Sequence, residues 1–198
     1  ITWTTIGTIT NVRIDLATDG GTNYNIPVVA STADDGSFDW TVTDHISDTV
    51  KIRVAHEAPF ASDASDNSFK IKGDFDITSP DGGELWQINQ AKTISWNTIG
   101  TIANVRIQYS INGGTDYTTI VNSEANVNSH SWTVPDTRTP SAKIKLINPA
   151  DETVSDESAG TFRIQGFLTL NSPNGGETWM SEDSRQITWT WGGTLPTV

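Results

Sequence analysis

The feature that most constrains this chain is that it repeats itself. The segment opening at Ile1, ITWTTIGTITNVRI, returns at Ile94 as ISWNTIGTIANVRI, and a third copy opens at Ile187 as ITWTW. Both intervals are 93 residues, and 15 positions are identical between residues 1–24 and 94–117. Later landmarks keep step: Trp40 with Trp132, Lys51 with Lys143, Phe69 with Phe162, and SPDGGELW with SPNGGETW. The offset shortens to 92 in mid-repeat and then recovers, which places one deletion and one insertion in loops. Such a period is too long for a solenoid unit, which cannot bury a core alone. It suits an independent β-sandwich.

The repeat predicts a first unit over 1–73 that lacks its opening strands, a complete unit over 74–166, and the opening strands of a third over 167–198. Gly73 and Gly166 are the expected hinges. The expectation is that the chain is a window on a longer array; exchange of strands between copies is the competing reading. Within the complete unit, strands are predicted over 75–78, 84–88, 92–97, 103–111, 116–122, 130–134, 142–147 and 161–165. Val105, Ile107, Tyr109 and Ile111 alternate with Arg106, Gln108 and Ser110, the pattern of an antiparallel sheet with one wet face. Asn112-Gly113-Gly114 and Asp19-Gly20-Gly21 supply the positive φ angles of tight hairpins. The expected fold is all-β: tandem antiparallel sandwiches of immunoglobulin-like or fibronectin-III-like type.

Charge narrows the partners. Twelve Lys and Arg stand against 24 Asp and Glu, a net charge of −12. That field repels phosphate backbones and anionic lipid, so nucleic acid is not an expected partner. No apolar run reaches the 18 or so residues of a membrane span, so membrane insertion of this segment is not expected either. With no cysteine the chain has no disulfide, thiol nucleophile or cysteine-bound zinc.

Seven of the 8 Trp fall at repeated positions: Trp3, Trp96 and Trp189; Trp40 and Trp132; Trp86 and Trp179; only Trp191 stands apart. Their alternation with polar neighbours predicts core packing, with a sugar-binding platform as the sharper alternative. The segment before the last strand of each repeat is read as an acidic loop. Its Asp63 and Asp66 in one copy, and Asp156 and Glu157 in the next, are weak calcium candidates, few against the six to eight oxygens calcium takes. Otherwise no cofactor is expected. His45, His56 and His130 do not recur between repeats and read as surface or edge-strand residues. No phosphate loop or nucleophile constellation is visible, so an enzyme is not expected.

The run ITSPDGGELWQINQAKTISWNTIGTIANVRIQYSINGGTDYTTI, followed by HSWTVPDT, AKIKLI and VSDESAGTFRI, resembles a known repeat family. It is the repeat named for Ser/Thr-rich, GPI-anchored yeast cell-wall proteins, also widespread in large bacterial and archaeal surface proteins. The first repeat departs in having Thr43 where the second has Pro135. The resemblance implies an immunoglobulin-like fold, an extracellular or cell-surface location and a structural role, with no catalytic residues to carry over. Near-copy repetition and short hinges predict rigid beads in a surface layer, stalk, sheath or filament, with neighbouring copies as partners in a homopolymer or lattice. The alternative is a carbohydrate-binding or adhesion module of a secreted protein, with cell-wall polysaccharide as ligand.

Overall fold

A computed structural model describes residues 1–56 and 61–194. The chain divides into two compact units, Ile1–Gly73 and Asp74–Val198. The described residues form strands and turns without an α-helix, so none of them builds a helix able to cross a membrane.

Unit 1 contains β1 (Asn11–Ala17), β2 (Ile26–Ala33), β3 (Ser47–Ala55), β4 (Ser62–Ala64) and β5 (Phe69–Ile71). They make one antiparallel sheet ordered β2-β1-β3-β4, with β5 on β3. Its buried centre is Ile14, Leu16, Val50, Ile52 and Ile71. Among the described residues, Ile1–Thr5 and the chain around Ser37, joined by a bridge between Thr2 and Ser37, pack Trp3, Phe38 and Trp40 against that centre.

Unit 2 holds the complete repeat. Its first elements are β6 (Asp74–Ser79), β7 (Leu85–Gln87), β8 (Ala91–Ile99), β9 (Asn104–Ser110) and β10 (Thr118–Ala125). Then follow β11 (Ser129–Thr133), β12 (Thr139–Asn148), β13 (Asp151–Glu157) and β14 (Phe162–Gln165). One sheet runs β11-β8-β6; the other runs β10-β9-β12-β14-β7, with β13 also on β12. All these pairs are antiparallel except β7 with β14. Alternate residues of the two sheets meet in one core: Phe75, Ile77, Ile94, Trp96 and Trp132 from the first, Val105, Ile107, Ile144, Leu146, Phe162 and Ile164 from the second. Trp86 stacks at tilted angles on Phe162 and Trp132, with centroids 4.9 and 6.0 Å away. Such offset aromatic pairs add to the gain from burial alone. Two sheets sharing a core is a sandwich-like arrangement, and the all-β expectation is met.

One segment of each repeat departs from the expected strand set. Of the segments 62–67 and 155–160, read from sequence as an acidic loop, Ser62–Ala64 form β4 on β3, and residues 155–157 belong to β13, which pairs with β12 from Lys145 to Asn148. After Gly166, β15 (Phe167–Ser172) and β16 (Thr188–Gly192) form a separate antiparallel hairpin. Beyond β16, Thr194 donates from its N–H and hydroxyl to the Asp136 carboxylate, at 2.9 and 2.8 Å.

Candidate functional site

What the two repeats keep in common marks what the fold requires. In unit 1 the Trp3 indole N–H donates to Asp34 Oδ1 at 2.6 Å, and the Thr5 hydroxyl donates to the same oxygen. In unit 2 the Trp96 indole N–H donates to Asn126 Oδ1 at 2.8 Å, and Asn126 donates to Thr98 Oγ1. The acceptor has changed from carboxylate to amide while the indole keeps its partner. Hydrogen bonds from Trp3 and then Thr5 favour the ionised form of Asp34 and hold its carboxyl below the ordinary range.

Two further devices recur. Arg53 lies over the Tyr24 ring at 4.6 Å, and Lys145 over Tyr117 at 5.3 Å. In the hairpin turns, Asn23 donates through its amide to Asp19, and Asn112 donates to Asp116, the acid and the amide having traded places.

The calcium candidates are separated by this geometry. Asp63 lies in β4, Asp66 follows it, and Asp156 and Glu157 lie in β13. Asp156 Oδ2 accepts the Ile77 backbone N–H at 2.7 Å, which ties β13 to β6 across the two sheets. Glu157 accepts from Lys145 Nζ at 3.0 Å. Burial by itself raises the Glu157 carboxyl; the Lys145 hydrogen bond and the Lys145 and Lys143 charges outweigh it and hold it below the ordinary range. Asp66 contributes its backbone carbonyl to Lys51 Nζ at 3.1 Å. Among the described residues no three His, Asp or Glu side chains converge on one point.

The tryptophans split by repeat. Trp86, Trp96 and Trp132 are core, as expected. Trp3 and Trp40 are half-buried. Trp179 and Trp189, expected in a core from their repeat positions, are instead 41% exposed, and Trp191 is 57% exposed. Among the described residues β15 and β16 have no facing sheet. Leu168 faces Trp191 and Leu170 faces Trp189 across the hairpin, so these four share one uncovered face.

His130 lies on β11, the edge strand of its sheet, with Nδ1 2.8 Å from Glu124 Oε1. Sequence spacing gave no sign of this pair, because the partner comes from the neighbouring β10. His45 lies 3.1 Å from the Thr43 hydroxyl.

No family model matches the chain, and no curated protein matches it significantly.

A groove of about 1020 Å³ lies within unit 1, walled by Trp3, Trp40, Ile52, Val54 and Phe69, with Asp63 among its polar residues. Its apolar side chains share the wall with Thr2, Thr4, Thr5, Ser62 and Ser65 and with the ionisable His56, Asp63 and Asp66.

Proposed function

We propose that this chain is a structural repeat module of a large extracellular or cell-surface protein, of immunoglobulin-like type, which assembles through contacts between its domains. The observation that carries the reading is what the repeats preserve: the Trp–Asx hydrogen bond, the Tyr–cation stack and the hairpin-turn pair all serve folding. The histidines, which would serve chemistry, are not preserved.

The finer fold assignment is supported by topology. A three-stranded sheet β11-β8-β6 opposes β10-β9-β12, and the first strand is split so that its second half, β7, runs parallel to the last strand, β14. This resembles the two-sheet, Greek-key plan of immunoglobulin and fibronectin domains. Membership of the cell-wall repeat family, the surface location and the absence of catalysis belong to the same proposal; the first two rest on the motif run, and the third on the lack of a catalytic constellation in the sequence.

The second reading, a carbohydrate-binding module, draws on the exposed indoles of Trp189 and Trp191. An immobilised panel of cell-wall polysaccharides separates the two. The structural reading predicts no saturable binding. Micromolar binding abolished by Trp189→Ala and Trp191→Ala moves the chain to the second reading.

A further inference from the structure

Within unit 2, the complete repeat and the hairpin that follows it are tied at two places, and only one of these is the covalent chain at Gly166. At one end of the complete repeat the turn after β7 meets the segment after β11. Asn89 donates its backbone N–H to the Val134 carbonyl at 2.8 Å, and Val134 donates to the Gln90 carbonyl at 3.0 Å. Ile88 and Asp136, on these two segments, both meet the next repeat. Ile88 is fully buried, and its backbone N–H donates to the Gln165 carbonyl at 3.0 Å, beside the expected hinge. Asp136 is exposed, and its Oδ2 accepts both the backbone N–H and the hydroxyl of Thr194, at 2.9 and 2.8 Å.

The turn that enters this place is shaped for a close approach. Gly193 has a φ of +96°, and a Cβ there would run into Ile88 Cδ1 and stand 3.1 Å from Asp136 Oδ1. Glycine alone takes that conformation without strain and leaves the space that Ile88 occupies. Gly192 before it lies against the Phe167 ring, where a Cβ would also collide. Phe167 and Gly192 are register partners at the base of the β15–β16 hairpin, so the residue after the hinge and the clasped turn are joined.

Both halves of the contact recur in the sequence at the repeat period. Asp44 stands at the position of Asp136, between Thr43 and His45 where the other has Pro135 and Thr137, so the acid is kept while its neighbours change. Gly7-Thr8 and Gly100-Thr101 stand at the position of Gly193-Thr194, and all three glycines have positive φ, +103°, +77° and +96°.

We propose that Ile88 and Asp136 form a socket for the Gly-Thr turn of the following repeat, and that this clasp orients it where the Gly166 linkage alone does not. The inference rests on the structural role proposed above and names the contact by which one repeat directs the next. Domains joined by a single short linker move relative to one another by default. A second attachment beside the linker removes that freedom. Donation to a carboxylate is charge-assisted, and two donors on one carboxylate fix direction as well as distance. The partner the socket fits is a positive-φ glycine followed by a residue with a hydroxyl and a free backbone N–H.

NMR of the full chain, labelled with nitrogen-15 and weakly aligned, is the test. Residual dipolar couplings of β15–β16 are expected to fit one alignment with those of β6–β14, and the Thr194 amide to be protected from exchange. In Asp136→Ala the hairpin couplings are expected to leave that common alignment. Thr194 exchange is expected to quicken roughly tenfold or more, the loss of a hydrogen bond to a charged acceptor. Thr194→Val keeps the backbone donor and is expected to change both readouts less. Asp136 is exposed and lies outside the core of the complete repeat, so unshifted β6–β14 amides away from the socket report that the fold persists. A hairpin that aligns independently in the unaltered chain overturns the clasp. So does an Asp136→Ala chain with couplings and exchange unchanged. Either result leaves the structural reading to be judged separately by the polysaccharide panel.

Discussion

At the scale of single residues, the tryptophans carry the sharpest contrast. Trp96 is 2% exposed and Trp132 7%, whereas Trp191 is 57% exposed. Truncation of Trp96 or Trp132 to Ala is expected to cost about 3–5 kcal/mol in chemical denaturation. Trp191→Ala is expected to stay within about 0.5 kcal/mol, as exposed substitutions do. Asp34 gives a pH prediction. Its carboxyl is held below the ordinary value of 3.8, so the folded state favours the ionised form. The stability it contributes is fully present above that ordinary value and is lost as pH falls through the lower, folded value. Asn126 does the same work in unit 2 without a charge. Asp34→Asn is therefore expected to leave the melting temperature at neutral pH nearly unchanged and to flatten its fall on the acid side. An unaltered acid limb in thermal melts contradicts this.

At the scale of elements, β13 decides the fate of the calcium reading. The sequence Asp151-Glu152-Thr153-Val154-Ser155-Asp156-Glu157 is poor in strand formers, and only Val154 among these points into the core. Nothing local therefore announces a strand, and a loop was the natural expectation. The segment is held by partners distant in sequence: Lys145 for Glu157, and the Ile77 N–H for Asp156. The buried Ser158 that follows takes the Ile144 N–H at 3.0 Å, and Ser65 does the same for Ile52 in unit 1. Ser158→Ala leaves that N–H unpartnered and is expected to cost about 1–3 kcal/mol, read from the denaturation midpoint. Because Asp156 and Glu157 already serve protein donors, the melting temperature is expected to be the same in calcium and in chelator. A calcium-dependent rise in melting temperature returns these carboxylates to the list of metal ligands.

The strands that were legible share a different character. β9 and β12 alternate apolar and polar side chains, and the Gly113-Gly114 turn follows β9, so there period and punctuation agreed. The repeat then carried those assignments from one copy to the next. Its limit shows at Trp179 and Trp189, which occupy core positions by alignment but meet no opposing sheet. A repeated position predicts which way a side chain points; it does not supply the layer that covers it. The His130–Glu124 pair and the Asp156 bond to β6 were hidden for a related reason, since each joins strands whose neighbourhood only the fold defines.

At the scale of the whole molecule, one repeat closes its core with its own strands, while unit 1 presents an open groove and β15–β16 an uncovered apolar face. The central claim is that copies of this repeat build a structure by contacting one another. Electron cryomicroscopy of the native assembly tests it most directly. The account predicts a regularly repeated protein–protein interface above about 1,000 Å² between neighbouring copies. Copies that contact polysaccharide and leave their protein faces apart would contradict it.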